Sequence, residues 1–474
     1  MRYKAFFVRN ILVVISVFFS LAGCNGTTVP SDTSKNEFRL TAYNPPSKIA
    51  YNGEYPKSSF DDVWQYYKDA NLKTISRIDP NNKGLFESAK KHGLKYYIDI
   101  RHIFFEDVLD NNGVDYLRGV QNPDDENASE NVEPEEIPQS ILDRVKKLVK
   151  KYKDDPDLDG YWVCDEPFPT GYKNIAKVIK TIKDIDPKHL SIVNIGRNEA
   201  TTESNITRFL KTTDIKMFSF NFSIFWTKAG YDKWETTEKE QVEAYYKRFD
   251  MMRKLALDNN RSFGFIAQMV GTENNDPENI KWRTPTDEED RWEAYTALVY
   301  GVHSLSWFFW EFDGDSDKGW GLLDKPQELR EQIYSAIQSV NKEINKLKDI
   351  MATLTSVRVY HNDTKSIEHR PVIAEDSDSR IIVGLFEKTD KRQALGKHYF
   401  MLVNKDYKEE ITENYYIKVL RSEYPDAPAD DAKVSLEYFD TTTNSWKDVK
   451  IKDNKFTAYL DAGEGKLFRF EFVN

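Results

Sequence analysis

Carboxylates and carboxamides collect near the ends of apolar segments in this chain of 474 residues. Asp79 closes the segment at 73–79, Asp99 and His102 lie within 95–103, and Asp165-Glu166-Pro167 follows the apolar run at 160–164. Further along, Asn221 lies in 217–225, Gln268 in 262–270 and Glu311 in 303–312. A carboxyl partly removed from water keeps its proton longer and can give it to a departing oxygen, while a second carboxylate attacks carbon or activates water. Asp165-Glu166-Pro167 is the sharpest of these signals, because Pro167 has no N–H to give and so ends the strand just after the two acids. Other chemistries are poorly served. There is no Ser-His-Asp set, the seven His show no H-E-x-x-H pairing, and the two cysteines, Cys24 and Cys164, are too few for a thiolate zinc site or a disulfide framework. No G-x-G-x-x-G or Walker-type loop occurs, so neither a cofactor nor a metal is expected.

Acids so far apart in sequence need a scaffold that gathers strand ends. Apolar or alternating segments at 38–44, 73–79, 95–103, 160–165, 190–196, 217–225, 262–270 and 303–312 read as strands. Amphipathic segments at 58–70, 83–92, 139–153, 171–185, 204–212, 238–258, 286–300 and 327–347 read as the helices between them, with Gly93 and Pro187 ending the second and fourth. This alternation predicts an α/β fold, a (β/α)8 TIM barrel over residues 37–350, with a doubly wound open sheet as its rival. In a closed barrel the strand C-termini share one rim, where the acids and amides would meet. The longest insertion is 104–138, which carries the acidic stretch 124–136. Beyond Leu347 the period shortens to alternating strands at 356–361, 380–387, 398–404, 414–420, 433–439 and 466–472, which predicts an antiparallel β-sandwich over 351–474.

The segment Tyr161-Trp162-Val163-Cys164-Asp165-Glu166-Pro167 resembles the (β/α)8 glycoside hydrolases whose acid/base Glu ends strand four, typically in Asn-Glu-Pro. Glu166 and Pro167 match that pattern, while Asp165 stands where the Asn is usual. The stretch Leu460–Phe468 is also similar to the last strand of the β-sandwich that often follows such barrels. The resemblance implies hydrolysis of glycosidic bonds in a carbohydrate, with Glu166 as general acid/base. It also implies a nucleophilic Glu at the end of strand seven, where this chain has Gln268, which cannot attack as a carboxylate. Either Glu311 or a rim Asp such as Asp165 is then the second carboxylate, or the mechanism does not follow the usual retaining scheme; a separation of about 5–5.5 Å marks a retaining pair and ~6.5–9.5 Å an inverting one. Asp99, Asn221 and Gln268 are expected to touch the substrate. Trp226, Trp310 and Trp320 are expected to offer platforms for the C–H faces of sugar rings, with Gly314, Gly319 and Gly321 making a movable flap. Asp99 beside Arg101 reads equally well as an ion pair, Asp79 before Pro80 as a turn cap, and Cys164 as a small buried hydrophobe. The rival function is a non-catalytic carbohydrate-binding lipoprotein on the same barrel, which Gln268 favours; a barrel acting on a non-sugar polymer is a third reading.

The first residues form an address. Arg2, Lys4 and Arg9 precede an apolar run from Ile11 to Ala22, which is shorter than the ~20 residues that span a bilayer and so reads as a signal-peptide core. Leu21-Ala22-Gly23-Cys24 resembles the bacterial lipobox, which implies cleavage before Cys24 and lipidation there, with the polar segment 25–36 as a tether. The expected location is the bacterial cell envelope, with membrane contact only through the lipid on Cys24. A net charge of -11 without any basic stripe argues against a nucleic acid partner, and an aromatic share of 14% argues against disorder.

Overall fold

A computed structural model describes residues 37–43, 60–104, 115–119, 134–196, 201–271, 282–308, 310, 323–324, 328–362, 370–376, 378–389 and 396–473. Its first part alternates strands and helices: β1 (Arg39–Ala42), α1 (Phe60–Asp69), β2 (Thr74–Ile78), α2 (Lys83–Lys91), β3 (Lys95–Asp99), α3 (Gln139–Tyr152), β4 (Leu158–Asp165) and α4 (Tyr172–Ile185). There follow β5 (Leu190–Ile195), α5 (Glu203–Thr213), β6 (Met217–Asn221), α6 (Lys228–Lys233), α7 (Glu238–Asp258), β7 (Ser262–Gln268), α8 (Asp287–Tyr300) and β8 (Ser304–Phe308). The strands close in the order β1 to β8, all parallel, because β1 pairs with β2 at Thr41↔Thr74 and with β8 at Arg39↔Ser304. This is a TIM barrel, and the doubly wound alternative falls with the β1–β8 pairing.

Local chemistry sets the ends of these elements. Thr202, Thr227, Thr237 and Thr286 cap α5, α6, α7 and α8 by accepting a backbone N–H of the first turn, and Glu240 and Glu289 complete capping boxes on α7 and α8. Each outer helix turns an apolar stripe to the sheet, as Ile141, Val145, Val149 and Tyr152 do on α3. Inside the barrel, Thr41, Ser76, Ser219, Ser304 and Ser306 share the interior with Tyr97, Trp162, Ile192, Met217 and Ile266 around a cavity of only about 20 Å³. The two large rings fill the space that the small hydroxyl residues leave. Below this layer the buried Arg39 guanidinium donates to Asp159 at 2.7 Å, so the interior is a packed core rather than a pore.

A short hairpin, β9 (Leu323–Asp324) and β10 (Glu328–Leu329), precedes α9 (Glu331–Met351). The remaining strands are β11 (Leu354–His361), β12 (Val372–Ala374), β13 (Ile381–Lys388), β14 (His398–Asn404), β15 (Ile411–Ile417), β16 (Val434–Asp440), β17 (Ser445–Asp448), β18 (Lys455–Leu460) and β19 (Gly465–Phe472). They form a six-stranded antiparallel sheet, β11-β13-β14-β19-β16-β17, and a three-stranded one, β12-β15-β18. A second apolar core, with Phe400, Leu402, Tyr415, Ile417, Phe456 and Phe468, lies within this sandwich. The larger sheet also packs on the barrel: an added Cβ at Gly384 would meet Val299 of α8, and one at Gly465 would meet Tyr295. α8 is therefore buried along almost its whole length.

Candidate active site

Glu166 follows the last residue of β4 at the C-terminal mouth of the barrel. Its N–H donates to the Asn194 carbonyl at 2.9 Å, which ties it to β5. Its φ of 51° lies in the left-handed region, which a residue with a Cβ adopts only under constraint from its surroundings. The hydrogen bond to β5 helps supply that constraint, while Pro167, which favours an extended residue before it, adds to the cost of the turn. The turned backbone lays the carboxyl against Gly196, where a Cβ would stand 2.3 Å from the Glu166 Cδ and 2.4 Å from Oε1. Only glycine leaves room there. Asn221, on β6, donates its amide N–H to Oε1 at 3.2 Å, and its own carbonyl accepts from Asn194 at 3.0 Å. Asn194 is in turn fixed by Ser219, whose hydroxyl donates to it at 3.2 Å.

Asp165 is braced from the other side. Tyr43, just past β1, donates its hydroxyl to Oδ2, and Asn194 donates to Oδ1 at 3.0 Å. Arg77 donates to the Tyr43 oxygen at 2.9 Å and lies across the Tyr43 ring at 4.9 Å. The Arg77 and Arg101 guanidiniums approach the Asp165 carboxylate at 4.0 and 3.8 Å. Both also hold Asp99, Arg77 at 3.2 Å and Arg101 at 2.7 Å. Burial works against the Asp99 charge, but the Arg101 and Arg77 guanidiniums outweigh it and keep Asp99 well below the usual carboxylate range.

The same physics acts in the opposite sense on Glu166. Burial and the neighbouring Asp165 charge push its carboxyl up to about 7, against the weaker pull of the Asn221 hydrogen bond and of Arg118. Near neutral pH this group carries a proton part of the time. It can therefore give one up and take one back, the property required of an acid that later serves as a base.

The structure brings Glu166, Asp165, Asn221 and Asp99 to one mouth, but it assigns Asp99 to an ion-pair brace. Three expected ligand contacts are corrected. Gln268 is 1% exposed; its amide N–H groups donate to the carbonyls of Phe225 and Arg283 at 3.1 and 2.8 Å, and its carbonyl accepts from the Phe225 N–H at 3.1 Å. It pins two loops together and keeps nothing for a ligand. Trp310 is 0% exposed and packs edge-on against Tyr67 with centroids 4.9 Å apart, so it belongs to the core. Trp226 is buried under Tyr231, stacked at 5.8 Å, and the exposed ring of that cluster is Trp234 at 55%. Asp79 accepts from the Asn81 N–H at 2.8 Å and caps its turn. Cys164 is a buried thiol whose pKa burial raises. Glu311, Trp320, the flap glycines and Cys24 lie outside the described residues. Among the described residues, no cluster of three or more His, Cys, Asp or Glu is placed to hold a metal.

Sequence reasoning missed Tyr43, Arg77, Asn194 and Gly196. Two carried a faint signal: Asn194 interrupts the apolar run of β5, and Tyr43 continues the alternation Arg39, Thr41 toward the interior. Arg77 and Gly196 carried none, since their roles depend on side chains from other strands.

No model of a protein family and no curated protein matches the sequence. Solved structures do match in fold. The β-galactosidase from Bacillus circulans sp. alkalophilus superposes with a TM-score of 0.58 at 8% identity, over 92% of this chain and 99% of that one. A glycoside hydrolase family 5 protein from Bacteroides vulgatus gives 0.51 at 11% identity, over 92% and 89% of the two chains. A further glycoside hydrolase gives 0.50 at 12%, over 92% and 93%. The chain thus has the (β/α)8 fold with C-terminal β-sheets found in these glycoside hydrolases.

Proposed function

We propose that the protein is a glycosidase in which Glu166 is the general acid and then the general base. The observation that carries this reading is the placement of Glu166: after β4, in a left-handed turn, with its carboxyl lodged on Gly196 and held by Asn221. A carboxyl so fixed protonates a glycosidic oxygen as the C–O bond breaks, then accepts a proton from the incoming water. Help of this kind is worth about 10²–10⁴-fold, so Glu166→Gln loses at least that much on glycosides with poor leaving groups. The loss shrinks on aryl glycosides whose phenol leaves without protonation, while binding, followed by calorimetry, is kept. An equal loss on both substrate types in a folded variant removes Glu166 from the acid role.

The sealed Gln268 favours a second reading, a carbohydrate-binding protein without turnover, because the strand-seven position offers no attacking carboxylate. Binding of oligosaccharides with no product over long incubation, unchanged in Glu166→Gln, would establish it. In either case we place the protein in the bacterial envelope, anchored through Cys24. Cys24→Ser is expected to move it from the membrane to the soluble fraction; a Cys24→Ser protein that stays with membranes in high salt refutes the anchor.

A further inference from the structure

A glycosidase needs either a second carboxylate or a nucleophile brought by the substrate itself. In this barrel the end of β7 carries an amide whose N–H groups are committed to the carbonyls of Phe225 and Arg283. Glu166 has a carboxylate as its direct neighbour instead. Asp165 accepts from Tyr43 on one oxygen and from Asn194 on the other, and 24% of its side chain remains exposed at the mouth. A carboxylate offers about four lone-pair sites, so Asp165 has capacity left for one more donor and none to give a hydrogen bond itself.

Resting on the glycosidase reading above, we infer that the substrate is a 1,2-trans glycoside of a 2-acetamido-2-deoxy sugar, whose own acetamido carbonyl attacks C1 while Asp165 receives the amide N–H. The carbonyl oxygen forms a bond to C1 from the face opposite the leaving group, which is why the two substituents must be trans. The C1–O bond to the leaving group breaks with its electron pair on the departing oxygen, which takes the Glu166 proton. The product of this step is a cyclic oxazolinium ion, with the new positive charge spread onto the nitrogen whose N–H faces Asp165. Water then adds to C1, its proton passes to the Glu166 carboxylate, and the C1–O bond to the acetamido oxygen opens. The net reaction is glycoside plus water giving free sugar plus alcohol, with retained configuration and both carboxyl groups restored. Holding the reacting groups within one molecule supplies much of the barrier reduction, since well-oriented intramolecular reactions reach effective molarities of about 10⁵–10⁸ M.

The geometry fits this use of Asp165. An anion fixed by Tyr43 and Asn194, with the Arg77 and Arg101 guanidiniums at 4.0 and 3.8 Å, is oriented before any charge develops on the amide, and a preoriented charge needs no rearrangement during reaction. The raised pKa of Glu166 is consistent with the same pairing, because the Asp165 charge contributes to it.

The test uses the full-length protein with 4-methylumbelliferyl N-acetyl-β-glucosaminide and N-acetyl-β-galactosaminide, their mono-, di- and trifluoroacetyl analogues, and the matching plain β-glucoside and β-galactoside. Turnover is expected on an acetamido sugar and not on the plain glycosides, with kcat/KM falling at each added fluorine as the carbonyl oxygen becomes a poorer nucleophile. Asp165→Asn, which keeps the shape and loses the charge, is expected to lower kcat by about 10²–10³, the cost typical of removing one preorganised stabiliser of developing charge. A flat response to fluorination overturns the inference, as does cleavage of the plain glycosides at a similar rate. Intact-mass detection of a 2-deoxy-2-fluoro sugar bound covalently to the protein overturns it as well, because that reveals an enzyme nucleophile. In those three cases a large effect of Glu166→Gln on glycosides with poor leaving groups, such as the corresponding disaccharides, leaves the glycosidase reading standing. If neither set is cleaved and Glu166→Gln changes nothing, both fall.

Discussion

Glu166, the proposed acid, shows how little of such a site lies in a single residue. The tripeptide Asp165-Glu166-Pro167 was legible because its three residues are adjacent, and a proline after two acids marks a strand end. The groups that give Glu166 its properties come from elsewhere: Tyr43 reaches Asp165 across 122 residues of sequence, and Asn221 reaches Glu166 across 55. Such contacts exist only once the barrel has closed. Gly196 is the most testable of them. In Gly196→Ala the new methyl group would overlap the Glu166 carboxyl, so the carboxyl must leave its seat and the Asn221 hydrogen bond with it. The expected result is a loss of activity comparable to Glu166→Gln with a nearly unchanged melting temperature, since the atoms that the methyl meets are the far end of the Glu166 side chain, which can move aside. If Glu166 is the acid, wild-type activity is expected to fall as the pH rises through about 7, where burial and the Asp165 charge place its carboxyl. In Gly196→Ala that limb moves to lower pH, because the displaced carboxyl is better hydrated. A pH–rate profile of the variant that overlays the wild type would show that the seat is irrelevant.

At the scale of elements, α8 is where the sequence misled most. Its segment reads as one more outer helix with a wet face. The structure lays the β-sandwich on one side of it, at Trp292, Tyr295 and Val299, and Glu289, Asp290, Glu293 and Thr296 are buried as well. Nothing within fifteen residues of sequence could announce a neighbour that arrives a hundred residues later. Likewise β12, β17 and β18 escaped notice: they are short, and in β18 exposed Lys455, Thr457 and Tyr459 alternate with the buried residues, so no apolar run marks them. The buried acids of α8 have a measurable consequence. Burial pushes Asp290 and Glu293 well above the usual carboxylate range, Glu293 against the backbone of Gln268. A folded-state pKa above the unfolded one gives stability that is fully present at acid pH and is lost as pH rises past the ordinary carboxylate value. Glu293→Gln keeps the shape and abolishes that titration. It is expected to match the wild type near pH 4 and to melt higher at pH 8, by differential scanning calorimetry. A variant less stable at both pH values would mean that the Glu293 carboxyl is satisfied and contributes to folding.

Across the whole molecule, barrel and sandwich fold as one compact unit over Ser34–Asn474. The change of period near Leu347 announced two architectures but not how tightly they are joined. Arg253 of α7 donates to Ser356 of β11 at 2.8 Å, Tyr407 donates to Glu238, and the turn before β19 brings Gly463 onto the start of α8. Gly463 tests whether this contact carries stability. Its φ is 67°, and a Cβ would stand 2.5 Å from the Glu288 carbonyl and 2.8 Å from the Trp292 Cβ, backbone and core atoms that cannot swing aside. Gly93 is the natural control, since its φ of 65° is nearly the same but nothing lies within 4 Å of the position a Cβ would take. Ala at either site meets the left-handed penalty of about 1–2 kcal/mol. Only at Gly463 must the two parts also separate, which strips α8 of part of its cover. Gly463→Ala is therefore expected to lose clearly more free energy of unfolding in urea than Gly93→Ala, and to expose hydrophobic surface that binds a fluorescent dye before the barrel unfolds. Equal losses in the two variants would mean that the sandwich yields at Gly463 without cost, and that the barrel's stability is its own.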